Sequence, residues 1–155
     1  MWVFTEEETC ALADRLGDIL QVGDCITLQG DLGAGKTTFA RRLITQLCAD
    51  EVGVISPTFT LLQTYDVVLR DGKPTTIWHY DLYRLYDEEE VRELGLDDAL
   101  EKGIALIEWP ELVAHQLPEQ RIAIVIDFGE HPSGRDIHFS SVGDTQQRLM
   151  EAELC

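Results

Sequence analysis

Apolar and polar positions alternate along this chain with two different periods, and the switches between them mark its elements. Thr5 followed by Glu8 has the spacing of a helix-capping box, and Leu12, Leu16, Ile19 and Leu20 then recur at helical intervals. This predicts a first helix that ends near the Gly23-Asp24 turn. "CITLQ" is a short apolar run of strand type, and "TTFARRLITQLCA" is an amphipathic helix beginning directly after a glycine-rich loop. "SPTFTLLQTYDVVLRDGKPTTIWHYDLYRL" reads as two strands joined at Asp71-Gly72, a common hairpin dipeptide. The acids of "DEEEVREL" suit the start of a helix, whose positive end favours them, ahead of any metal site. "GIALIEW" is a buried strand that ends at a carboxylate. "RIAIVIDF" and "DIHFSSV" form a second hairpin around "GEHPSGR", and "DTQQRLMEAEL" closes the chain as a helix. Strands alternating with helices predict an α/β fold with a partly parallel sheet, which the hairpins make mixed. At 155 residues, with no repeat, low-complexity tract or linker, the pattern predicts one domain spanning 1–155.

Charge narrows the function. Twelve Lys and Arg face 29 Asp and Glu, a net charge of −17. A protein that grips nucleic acid by itself needs cations for each phosphate contact, and this chain has no basic stretch to supply them. Any nucleic-acid role is therefore expected to run through partner proteins. The acidic N-terminus lacks the basic region of a secretory signal, and no apolar run approaches the roughly 20 residues of a membrane span. Cys10, Cys25, Cys48 and Cys155 are scattered without a C-x-x-C pair, as expected of reduced thiols in a cytoplasmic protein.

The chemistry is concentrated in "GDLGAGKTT". Gly30, Gly35, Lys36 and Thr37 match G-x-x-x-x-G-K-[ST], the phosphate-binding loop of P-loop NTPases. Small residues let the backbone of Asp31, Leu32, Gly33, Ala34 and Gly35 curl so that successive N–H groups face a polyphosphate. The helix that follows adds its positive end. Lys36 would reach the β- and γ-phosphates, the Thr37 hydroxyl would take a place on Mg²⁺, and Thr38 would bond the α-phosphate. With glycine at about 7% of residues, a chance match in a chain of this length is on the order of one in two hundred. Here a strand precedes the loop and a helix follows it, which is the context the motif requires.

Such a site needs an acid at the C-terminal end of a neighbouring strand, for the metal or for the attacking water. Asp81 ends "TIWHYD" and Glu108 ends "IALIE", and the sequence leaves open which of them touches the metal. Thr58, after a proline in "SPTFT", is a candidate switch-type hydroxyl, with a plain turn threonine as the simpler alternative. Trp109 and Pro110 are core packing or a surface that reports nucleotide state. Arg84 and Arg135 are candidate phosphate cations, each with a surface ion pair as its alternative. His79 reads as a half-buried strand residue.

"GDLGAGKTTFAR", "SPTFTLLQTY", "HYDLYRL" and "IEWPEL" in this order and spacing resemble the TsaE (YjeE) family of small bacterial P-loop ATPases. The resemblance covers nearly the whole chain, to the "SGRDIHF" hairpin. It implies a P-loop domain that binds ATP and Mg²⁺ and works with TsaB and TsaD in making N6-threonylcarbamoyladenosine on tRNA. It implies Lys36 and Thr37 as phosphate and Mg²⁺ ligands, Glu108 as the metal-side acid and Asp81 as a catalytic or metal-linked acid. Thr58 becomes switch-like and Trp109 part of a functional surface. The start of the first helix near Glu6, and Gly134-Arg135, are implied to lie near the nucleotide.

Three rival classes remain for comparison. A small-molecule kinase needs an arginine-rich lid, for which the chain has no evident insertion. A GTPase normally carries N-K-x-D, which does not occur. A nucleotide-gated binding module without significant turnover shares every feature of the ATPase reading. With no evident arginine finger in cis, activity is expected to be weak alone and stimulated by partners.

Overall fold

Two strands are apolar along both faces and so belong in the middle of a sheet: Cys25–Gln29 (β2) and Ile104–Glu108 (β5), the latter buried at every position. The computed structural model, which describes residues 1–49 and 53–155, pairs them in parallel with Leu28 opposite Glu108. The remaining strands are Trp2–Val3 (β1), Leu62–Val68 (β3), Pro74–Asp81 (β4), Ile122–Phe128 (β6) and Arg135–Ser140 (β7). Among the described residues seven strands form one sheet in the order β1-β7-β6-β2-β5-β4-β3. Its centre, β6-β2-β5-β4, is parallel, and its margins are antiparallel. The sheet is mixed, as the sequence predicts, and both hairpins form. The first turns at Gly72 (φ 84°), where Asp71 accepts a bond from the Lys73 N–H at 3.0 Å.

The faces of the sheet carry separate cores. Ile26, Leu28, Ile77, Ile104, Leu106 and Ile124 pack against helices Glu6–Gly17 (α1) and Lys36–Leu47 (α2), around Leu16, Phe39, Leu43 and Ile44. The alternate residues Cys25, Tyr80, Ala105 and Ile107 face Glu88–Glu93 (α3) and Leu96–Lys102 (α4), with Val91, Leu96 and Val113. Each fully buried aliphatic side chain contributes about 1.5–3 kcal/mol relative to exposure. Gly143–Glu151 (α5) is clamped by Arg148, whose guanidinium pairs with Asp24 at 2.7 Å and also bonds the Ile19 carbonyl at 2.6 Å.

One predicted boundary moves. The capping box forms as expected, Glu8 N–H to Thr5 and Phe4 and Thr5 N–H to Glu8, but α1 stops at Gly17, short of Gly23-Asp24. A side chain at Gly17 would strike Gln46 of α2, whose amide donates to the Ala13 carbonyl at 2.6 Å. Beyond it, Ile19 and Leu20 pack from a turn, so helical spacing overran the helix. The helix begun by "DEEEVREL" is capped by Asp87 on the Glu89 N–H at 2.9 Å and breaks at Gly95 (φ 79°), where α4 restarts. No helix among the described residues is long and apolar enough to cross a membrane.

Candidate functional site

Because β2, β4, β5 and β6 are parallel, their C-terminal ends share one edge of the sheet, the edge at which open α/β sheets bind ligands. The loop from β2 to α2 crosses that edge. At Gly30 the backbone has φ 147° and a side chain would meet the Ile126 carbonyl at 2.3 Å, so only glycine lets the loop leave the sheet here. Gly35 (φ 114°) is the left-handed residue that starts α2.

Lys36 is the first residue of α2. Its Nζ donates to the carbonyls of Gly30 at 2.6 Å and Asp31 at 2.9 Å, and lies 4.0 Å from the centroid of the Trp109 ring. Burial pushes this ammonium below the usual lysine range, while Glu108, Asp81, Glu111 and Asp31 pull it the other way. An anion arriving beside Lys36 would therefore meet a cation that is only partly compensated.

The two strand-end acids arrive together. Asp81 and Glu108 lie directly opposite each other on parallel β4 and β5, and both are buried. Like charges in facing positions repel, so the pair favours a cation nearby. Thr37 Oγ1 donates to Glu108 Oε2 at 3.3 Å, and Thr58 Oγ1 to Asp81 Oδ2 at 3.1 Å. Ser56 lies 2.7 Å from the Thr58 hydroxyl, and the Tyr83 N–H donates to Asp81 Oδ1 at 3.1 Å. Each acid is thus tied to one hydroxyl, and the segment before β3 is tied to the end of β4.

These groups surround a cavity of about 260 Å³, walled by Leu32, Gly33, Gly35, Lys36, Thr37 and Thr38 on the loop side and by Thr58, Asp81, Tyr83, Glu108 and Trp109 opposite. A second, of about 330 Å³, lies across the loop and is lined by Phe4, Glu6, Ala34, Thr38, Ser133 and Arg135 among others. Arg135 buttresses it, Nε donating to the Ala34 carbonyl at 2.9 Å and Nη1 to the Gly134 carbonyl at 2.8 Å. Gly134 stands behind this wall rather than in it. The exposed Asp31 contributes its carbonyl to Lys36 but lies in neither wall. A larger cavity, about 650 Å³, runs along β3 and β4 and is lined by Cys48, Tyr65, Asp66 and Thr76 among others. Its carboxylate, Asp66, is already bonded to Thr76 at 3.1 Å, and among the described residues its lining brings no ammonium or second acid, so size does not mark the site.

Three sequence expectations need correction. His79 is fully buried, not half-buried, and its Nε2 lies 2.8 Å from Glu108 Oε1. The signal was present in "TIWHYD": at a period of two, Ile77, His79 and Asp81 share the face toward α2, so the imidazole had to fall beside the acids. Arg84 makes no surface ion pair among the described residues; its guanidinium stacks 4.5 Å from the Phe59 ring. Arg135 also makes none, and is bonded to loop carbonyls instead. Trp109 adopts φ 58° in front of Pro110, a conformation costly for a side chain of this size. That turn carries the indole beneath Lys36 and 4.8 Å from the Tyr83 ring, a contact no sequence pattern announced.

A sequence model of the family described as "Threonylcarbamoyl adenosine biosynthesis protein TsaE" matches residues 3–137. The chain belongs to the TsaE family. The TsaE match takes in the glycine loop, Thr58, His79, Asp81, Glu108 and Arg135 and stops before α5. Among similar proteins, the tRNA threonylcarbamoyladenosine biosynthesis protein TsaE of Rickettsia conorii is 46% identical over 123 residues, 79% of this chain and 67% of that one. The TsaE protein of Bacillus subtilis is 40% identical over 146 residues, covering 94% of this chain and 87% of that one. A crystal structure of Bacillus subtilis YdiB superposes with a TM-score of 0.76 at 35% identity, over 99% of this chain and 91% of that one. The TsaE family is thus a family of tRNA threonylcarbamoyladenosine biosynthesis, on a mixed α/β fold.

Proposed function

We propose that this chain, as a single P-loop domain in the cytoplasm, binds and hydrolyses Mg-ATP in the service of tRNA N6-threonylcarbamoyladenosine formation, docked on a TsaB–TsaD complex. The observation that carries the reading is the Thr37–Glu108 contact at the floor of the loop cavity, with Lys36 and Asp81 beside it. It joins a loop built to receive phosphate to a strand-end acid, which a glycine turn with a stray lysine would not do.

The donor set fits magnesium. Thr37, Glu108 and Asp81 offer hard oxygens, and no cluster of three or more His, Cys, Asp or Glu among the described residues forms an all-protein metal cage. That is the usual pattern for Mg²⁺, which takes one or two carboxylates and completes its shell with phosphate oxygens and water. Thr37 and Glu108 would hold it, and when bound it neutralises charge on the β- and γ-oxygens.

The chain's own groups then divide the work. Loop N–H groups between Asp31 and Thr38 orient the phosphates, except that of Ala34, which donates to the Asp31 carbonyl at 3.1 Å. Lys36 exchanges its carbonyl partners for β- and γ-oxygens, and Trp109 keeps the ammonium dry on its other side. Asp81, held by Thr58 and the Tyr83 N–H, is placed to align or deprotonate the attacking water. Glu6, Arg135 and Gly134 lie toward the second cavity, on the nucleoside side of the loop. The net charge of −17 assigns tRNA contact to the partners.

Phosphate release from Mg-ATP, with and without TsaB–TsaD, tests this. Slow release that rises with the complex supports it. Transfer of the γ-phosphate to a small metabolite would establish the kinase reading instead. Binding without turnover, even on the complex, would leave a nucleotide-gated module.

A further inference from the structure

The imidazole of His79 lies outside the phosphate loop and the cavity walls, a polar ring set into the α2-facing core of the sheet. It is fully buried on β4, between Ile77 and Asp81 on the face toward α2. Nε2 lies 2.8 Å from Glu108 Oε1, while the other oxygen, Oε2, accepts from Thr37 at 3.3 Å. The two oxygens of one carboxylate are thus assigned to different partners on different elements. The second ring nitrogen, Nδ1, is buried with no hydrogen-bond partner among the described residues.

That asymmetry is informative. A position kept for packing is better served by an aliphatic or phenyl side chain, which leaves no buried nitrogen unpaired. A histidine kept as a structural hub uses both nitrogens. His79 uses one, on one atom of a site carboxylate.

We infer that His79 is a positioning residue for Glu108: as the Nε2–H tautomer it donates to Oε1, fixes the carboxylate rotamer and reserves Oε2 for Thr37 and the cation. The inference rests on the reading that this cavity takes a magnesium nucleotide. The tautomer follows from the contacts, because Glu108 accepts and a second proton on Nδ1 would be a buried N–H without an acceptor. Partners that hold a ligating group from behind set its orientation, and their loss typically lowers metal affinity about 10- to 100-fold. Lys36 and the loop N–H groups hold phosphate without help from Glu108. His79 therefore sets how much magnesium tightens the nucleotide, not how well nucleotide binds without it.

Two measurements test this. Nitrogen NMR of the isotopically labelled imidazoles, with His79 assigned by its loss in His79→Gln, should show the proton on Nε2 and a bare Nδ1. Calorimetric titration of ATP across a magnesium series should show that His79→Leu needs about 10- to 100-fold more Mg²⁺ for the same tightening, with affinity in EDTA unchanged. His79→Gln, whose amide N–H can stand in for Nε2–H, should recover most of the loss. Thermal melts of each variant report folding, and if His79→Leu does not fold, the ring tautomer decides. A proton on Nδ1, or wild-type magnesium dependence in a folded His79→Leu, overturns the inference alone. A wild-type chain that binds no nucleotide at any magnesium concentration overturns the reading beneath it as well.

Discussion

The two hairpins look alike in sequence, each an apolar strand, a polar turn and a second alternating strand, yet they deliver opposite charges to the same sheet edge. In the first, β4 is the return strand and runs parallel to β5, so its C-terminal end arrives at the edge with His79 and Asp81, both buried. In the second, β6 leads and its end, Asp127-Phe128, is exposed, and it is the start of β7 that reaches the loop, carrying Arg135. Strand order within a hairpin thus decides which group meets the glycine loop. It also decides the cost. Burying an ion is worth enduring only where a partner compensates it, since the effective penalty is several kcal/mol per ion. The first hairpin meets that penalty with Thr58, the Tyr83 N–H and the nearby Lys36, whereas Arg135 stays half-exposed over carbonyls.

This contrast is most readily broken at the acid side. Asp81→Asn and Glu108→Gln should each cut ATP turnover about 10²- to 10³-fold in steady-state phosphate release, the loss typical of a group acting in the transition state. Affinity for ATP should change much less. Lys36→Ala should instead weaken nucleotide binding about 100-fold by calorimetry, as removal of a charge-assisted contact worth up to about 3 kcal/mol predicts. Arg135→Ala, from the other hairpin, should cost about 10-fold in affinity, because it supports the Ala34 carbonyl rather than the phosphates. If Arg135→Ala cost as much as the acid-side variants, the two hairpins would be equivalent and the comparison would fail.

A smaller effect separates the dry interior from the edge. Burial pushes the Cys25 thiol up to about 12 from its ordinary 9.0, and pushes the Tyr80 hydroxyl up as well. Both values are raised in the folded chain, so the stability they contribute is complete at neutral pH. For Cys25 it is lost as pH rises from 9.0 toward 12. Lys36 acts in the opposite sense, since burial lowers it and its cost is relieved as the medium becomes alkaline. Urea midpoints should therefore fall above pH 9.0, and Cys25→Ala should flatten part of that fall. In the native chain a thiol reagent should label the exposed Cys155 and leave Cys25 untouched until the chain unfolds.

Much of this was legible in the residues. The glycine loop, the two strands ending in acids and both hairpin turns follow from local pattern, because each depends on neighbours within a few positions. Where the sequence misled, the cause was distant. The close approach of Gln46 from another helix leaves room only for glycine at the last residue of α1, and His79 is buried where β4 lies against β5, opposite Leu106 and two residues before the Asp81–Glu108 pair. The stack of Lys36 on Trp109 joins residues far apart in the chain and requires a backbone turn that no propensity favours. Glu6, Thr58 and Arg135 came from the family resemblance or from residue type, and the structure places each beside the loop or its acids.

In the proposed function, a triphosphate and magnesium meet between this loop and Glu108. Calorimetric titration of ATP into the isolated chain, with magnesium and then with EDTA, addresses it directly. Saturable one-to-one binding that magnesium tightens is expected, with E108Q leaving nucleotide bound but largely indifferent to magnesium. Absence of binding at millimolar ATP, or an equal response to magnesium in E108Q, would contradict it.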